Sequence, residues 1–180
     1  MRQILSKSIT LIGLMGSGKS TLGKMLSERM NLPLSDTDKM IEKKVGKNIS
    51  QIFDESGERY FRQVEEIVVA KALDNAPHII STGGGSILSH KTRNEIKFKS
   101  CSIWIQCDVN IIAKRIINRG KRPLLNNKDI LDTLSKKNKE RIKFYSEADI
   151  HIMNEASNLE IVVDSIIKNL LLKKVLKNND

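Results

Sequence analysis

Gly13-Leu14-Met15-Gly16-Ser17-Gly18-Lys19-Ser20 fits G-x-x-x-x-G-K-[ST] at every fixed position, a spacing whose chemistry is phosphate binding. Glycines let the main chain curl until successive N–H groups point inward at phosphate oxygens. A helix starting where the loop ends adds the positive end of its dipole. In this pattern Lys19 reaches the β and γ phosphates of a nucleoside triphosphate, and the Ser20 hydroxyl serves a Mg²⁺ ion that bridges the same phosphates. The competing reading is an ordinary glycine-rich turn followed by a chance Lys-Ser, and the strand-to-helix context argues against it. Nucleotide binding follows. Catalysis does not follow from the loop alone, because switches, motors and kinases share it.

Other residues have the types that phosphoryl transfer needs. Asp36 and Asp38 occupy alternate positions just past an apolar run, so both carboxylates can face one cleft without sharing one metal. A helix N-cap is the other reading of such an aspartate. Arg62 follows an aromatic residue in a helical stretch, where a solvated surface charge is the default. Gly83, Gly84 and Gly85 would let main-chain amides come close to a ligand, or form a flexible turn. Arg115, Arg119, Gly120, Lys121 and Arg122 make a basic segment ending at Pro123. A helix should stop near that proline, and either a mobile lid over about 115–127 or a solvated basic loop follows.

These residues sit among alternating short apolar runs and helical stretches. Ile9–Ile12 reads as a strand, Ser20–Met30 as a helix, then a brief run to Leu34 and helical segments between Thr37 and Asn75. His78–Ser81, Ser102–Ile105 and Ile150–Ile152 read as further strands, with helices over Lys91–Phe98 and Ile111–Asn118. Ser157 and Glu160 have the spacing of a capping box for a last helix whose Leu159, Val162, Val163, Ile166, Ile167 and Leu170 line one face. Parallel strands need crossover connections that return over the sheet. The order therefore predicts an α/β fold of three layers, with a central parallel sheet of about five strands covered on both faces.

The chain's 180 residues fit one domain, and no linker or repeat divides it. No stretch approaches the ~20 apolar residues needed to cross a bilayer, and the polar start does not read as a signal peptide, so the expected location is the cytoplasm. Cys101 and Cys107 fall in one predicted strand, roughly 20 Å apart at ~3.3 Å per residue, too far to pair. They read as buried thiols. A formal charge of +10 suits either nucleic acid or a basic cleft for small anions on a Lys-rich surface. The 4% aromatic content and scattered lysines point away from nucleic acid.

Taken in order, the phosphate loop, Asp36-Thr37-Asp38, Phe61-Arg62, Thr82-Gly83-Gly84-Gly85 and Arg122-Pro123-Leu124-Leu125 resemble the shikimate kinase family, a nucleoside monophosphate kinase-like group of P-loop proteins, over nearly the whole chain. The resemblance implies transfer of the ATP γ-phosphoryl group to the 3-hydroxyl of shikimate, with Mg²⁺, by a monomer. It implies that Gly16, Ser17, Gly18, Lys19, Ser20 and Thr21 bind ATP, and that Asp36 holds Mg²⁺ through water alongside Ser20. Asp38 would orient the attacking hydroxyl, with Lys19 and Arg122 completing the catalytic set and Arg122 closing from the lid. Arg62 and Arg141 would grip the shikimate carboxylate, Gly83–Gly85 its hydroxyls, and Arg115 would stack on adenine, near Met153-Asn154-Glu155. The acceptor region would centre on about 36–63. Where the family more usually has proline, two residues after the arginine, this chain has Lys143. Gluconate kinase is the rival within enzymes. A nucleotide-dependent nucleic-acid-binding switch is the rival outside them, and it would not need Asp38, Arg62 or Arg141.

Overall fold

The computed structural model describes residues 4–118, 127–155 and 158–177. Five short parallel strands form the central sheet: β2 (Ser8–Ile12), β3 (Leu34–Asp36), β4 (Ile79–Ser81), β5 (Ser100–Gln106) and β6 (Ile150–Met153), in the order β3-β4-β2-β5-β6. A separate two-stranded antiparallel pair joins β1 (Ile4–Leu5) to β7 (Leu176–Lys177).

Alternation along the strands decides which helices cover which face. Ile9 and Leu11 of β2, Ile79 of β4, and Cys101, Ile103 and Ile105 of β5 pack with α1 (Lys19–Met30) and α7 (Leu159–Leu172) through Leu22, Leu26, Val163 and Ile166. Ile12 and Ile80 point to the other face. There Val69 and Leu73 of α3 (Ile49–Leu73), Ile96 of α4 (His90–Lys99) and Tyr145 of α6 (Asn127–Tyr145) cover them. The expected three layers are present.

Two smaller clusters set the elements that carry the site. Ile41 of α2 (Thr37–Val45) packs on Ile52, Phe61 and Val64 of α3, while Leu14 of the phosphate loop packs on Ile112 and Ala113 of α5 (Val109–Asn118) and Leu134 of α6. α3 is two helical segments joined at Gly57, whose φ of 77° and ψ of 169° are not helical.

The structure corrects two expectations. α7 is capped by Asn158, whose side chain accepts from the Glu160 N–H, and Ser157 lies outside the described residues. Cys107 falls just past β5 and is only half-buried, unlike the buried Cys101. Within the expected lid, residues 115–118 are the last turn of α5 and Asn127 opens α6, while Arg119, Gly120, Lys121, Arg122 and Pro123 lie outside the described residues. No described helix is long and apolar enough to cross a membrane.

Candidate active site

β2 delivers the chain into Gly13–Gly18, and Gly18, at φ 103°, is the N-cap of α1 with no side chain capping the helix. The first-turn N–H groups are therefore left for an anion. Lys19 lies over the loop, its Nζ donating to the carbonyls of Gly13 at 2.8 Å and Leu14 at 2.9 Å. Burial lowers its pKa to about 8, against the charges of Asp38 and Asp36. The buried Ser17 Oγ has no partner among the described residues, and Thr21 is exposed on the first turn of α1.

Asp36 ends β3 and uses its two oxygens differently. Oδ1 accepts from the N–H groups of Asp38 and Lys39 at 3.2 and 3.3 Å, which is the helix cap. Oδ2 accepts from the Ser20 hydroxyl at 3.0 Å. A hydroxyl and a carboxylate oxygen are the hard donors Mg²⁺ takes. Among the described residues no group of three or more His, Cys, Asp or Glu could hold a metal. The pair thus fits an ion held by one or two protein oxygens together with phosphates and water.

Beside the loop cavity, of about 210 Å³, opens a second of about 370 Å³, and the two share Met15, Asp38 and Gly84. Asp38 comes from the first turn of α2 and is half-buried. Burial and the neighbouring Asp36 raise its pKa, while Lys19 and Arg62 oppose the rise.

Arg62, on the second segment of α3, donates from Nη1 to Glu65 at 2.6 Å, and from Nη2 and Nε to one oxygen of Glu58 at 2.9 and 3.2 Å. Glu65 is 2% exposed. Its burial raises its pKa against the pull of Arg62, and its Oε1 has no partner among the described residues.

Arg141 reaches the cavity from α6. It is 6% exposed, donates from Nη1 to the Gly84 carbonyl at 3.1 Å, and leaves Nε without a partner among the described residues. The Tyr145 hydroxyl donates to the same carbonyl. α6 runs through Lys143, whose ammonium lies 4.9 Å from the Phe144 ring centroid. Lysine at that position leaves the helix intact, and Arg141 still faces the cavity.

The glycine loop after β4 closes the arrangement. The Gly83 N–H donates to Thr37 Oγ1 at 3.2 Å. A Cβ on Gly84 would stand 2.9 Å from the Met15 nitrogen, and one on Gly85 would collide with the Arg62 guanidinium. Any side chain there would push the two cavities apart or displace the arginine.

Arg115 lies on the other flank of the loop, donating to the Asn154 carbonyl at 3.1 Å and to Cys107 Sγ at 3.3 Å. Asn154 in turn donates from Nδ2 to the Ser17 carbonyl at 2.7 Å.

Asp36, Asp38, Arg62, Gly83–Gly85 and Arg141 are thus brought beside the phosphate loop, while Arg122 lies outside the described residues. Sequence reasoning missed Glu65 and the tie from Asn154. Arg62-x-x-Glu65 has the i,i+3 spacing of a helical ion pair and could have revealed the first. No local pattern marks the second.

Comparison with known proteins matches this arrangement. The family model described as shikimate kinase matches residues 15–171. A shikimate kinase of Caulobacter vibrioides is 38% identical over 162 residues, 90% of this chain and 81% of that protein. Among solved structures, a shikimate kinase from Acinetobacter baumannii in complex with shikimate superposes with a TM-score of 0.86 at 29% identity, covering 93% of this chain and 94% of that one. A shikimate kinase from Aquifex aeolicus gives 0.79 at 34% identity, covering 93% and 98%. With a phosphate loop opening into a cavity walled by two arginines and an aspartate, and with relatives this similar along most of its length, the chain belongs to the shikimate kinase family.

Proposed function

We propose that the two adjoining cavities are the ATP and shikimate sites of one kinase, which converts ATP and shikimate to ADP and shikimate 3-phosphate. The observation that carries this reading is their meeting at Met15, Asp38 and Gly84. A hydroxyl held in one cavity lies next to a phosphate held in the other, as in-line transfer requires.

The amides of Gly16–Thr21 take the phosphates, and Lys19 leaves the carbonyls of Gly13 and Leu14 to pair with them. Ser20 and Asp36 would hold Mg²⁺, Asp36 through water, and the ion would supply neutralisation of charge on the phosphates. Asp38, its pKa raised by burial, accepts from the attacking hydroxyl and orients it. Arg62 and Arg141 receive the carboxylate, where planar forks outperform an ammonium. Phe53 and Phe61 supply the apolar wall for the ring.

Arg115 supports the adenine, and Arg122, by the family resemblance, stabilises charge on the transferring phosphoryl group. Membership of the shikimate kinase family supports a monomer as the working unit. Two free thiols, Cys101 and Cys107, suit the reducing cytoplasm.

Coupled measurement of ADP release with shikimate, with gluconate and with no acceptor tests the reading. ADP release that depends on shikimate is expected. Equal release with gluconate, or without an acceptor, would overturn it.

A further inference from the structure

The Arg62 guanidinium is already engaged by two carboxylates, held in different ways. Glu65 is fixed: its side chain is 3% exposed and it takes Nη1. Glu58 is not. Its side chain is 62% exposed, it lies directly after the non-helical Gly57, and one of its oxygens receives both Nε and Nη2. Nε and Nη2 form one of the edges on which a guanidinium binds a planar carboxylate through two parallel bonds. Glu58 also lines the acceptor cavity.

The geometry points to Glu58 as an internal competitor, an acidic side chain that occupies Arg62 in the empty enzyme and must give way to the acceptor's carboxylate. The inference rests on the assignment of Arg62 to that carboxylate. An incoming acid displaces Glu58 and not Glu65, because Glu58 turns out into water whereas Glu65 has no solvent to receive its charge. Binding then exchanges one ion pair for another, and measured affinity falls by the fraction of molecules in which Arg62 is already taken. A partly exposed pair of this kind implies a reduction of about two- to fivefold. Nucleotide affinity is untouched, since the contact lies in the acceptor cavity.

The test is calorimetric titration of shikimate into the wild-type chain, Glu58→Ala, Arg62→Lys and the double variant, with the KM for ATP measured alongside. Alanine at an exposed helical position keeps the helix. Competition predicts that Glu58→Ala binds shikimate about two- to fivefold tighter, with the KM for ATP unchanged, and that the gain shrinks or disappears when Arg62 is lysine. Equal or weaker binding by Glu58→Ala would overturn the inference, as would the same gain in the Arg62→Lys background, which would mark a general field effect. Unchanged shikimate affinity in Arg62→Lys alone would instead remove the carboxylate assignment.

Discussion

Gly13–Gly18 and the first turn of α1 build the phosphate cavity from one continuous stretch of chain. The neighbouring acceptor cavity draws Asp38 from α2, Arg62 and Glu65 from α3, three glycines from the loop after β4, and Arg141 from α6. The first offers main-chain amides, so side-chain choice should matter mainly at Lys19 and Ser20. The second offers charged side chains, the arginines each held by a neighbour: Arg62 by Glu58 and Glu65, Arg141 by the Gly84 carbonyl. A contiguous amide cradle suits a ligand part common to many enzymes. Dispersed side chains suit the part that differs between them.

That contrast is broken most severely at Asp38, where the cavities meet. Asp38→Asn should lower kcat by about 10²- to 10⁴-fold, the usual worth of a positioned base, with little change in ATP affinity. Equal loss of both would make Asp38 a structural residue. In the wild type, burial and the charge of Asp36 raise the Asp38 pKa. The acid limb of kcat/KM should therefore lie above the ordinary aspartate value, and activity should fall as pH drops through it.

Arg62→Lys affects only the acceptor side. Shikimate should bind about tenfold more weakly, because the charge remains while the fork is lost, and the KM for ATP should not move.

Asp36→Asn separates two roles of one side chain. Asparagine caps a helix as well as aspartate does, so thermal stability should stay close to wild type. The Mg²⁺ concentration needed for half-maximal rate should rise several-fold, because one anionic oxygen is gone. A fall in stability without a shift in Mg²⁺ dependence would leave capping as the only role.

The smallest effect concerns a proton. Lys19 titrates at about 8 in the empty loop because burial disfavours its charge, and phosphates would restore that charge. ATP binding at about pH 9 should therefore take up close to one proton, and binding at about pH 6.5 almost none, where Lys19 is already protonated. Calorimetry in buffers of different ionisation enthalpy reads this directly, and Lys19→Met should abolish the uptake. The same shift makes the contribution of Lys19 to folding stability rise with pH between about 8 and 10.5, since there the unfolded chain holds a proton on this side chain that the folded chain has lost.

The two regions also differed in how far sequence revealed them. The phosphate loop was legible because the motif is local, the strand before it is a short apolar run, and the segment after it spaces Leu22, Met25, Leu26 and Met30 at helical intervals. The acceptor residues were recognisable only as an ordered set of motifs, since Arg62 alone reads as a surface charge. α6 had no place among the elements expected, because Lys, Asn and Glu dominate between Lys136 and Lys143 and dilute its apolar stripe. The β1–β7 pair escaped because it joins two-residue strands from opposite ends of the chain. Glu65 was within reach of the sequence through its i,i+3 spacing from Arg62, whereas the hydrogen bond from Asn154 to Ser17 is a tertiary fact that the residue types permit and the fold alone selects.

A crystal structure of the complex with ADP and shikimate tests the division between the two cavities most directly. The account predicts the shikimate carboxylate on Arg62 and Arg141, within ~3.2 Å of their nitrogens, one ring hydroxyl on Asp38, and the ADP phosphates in the cradle of Gly13–Thr21. Shikimate bound elsewhere, with Arg62 still on Glu58 and Asp38 touching neither ligand, would contradict it.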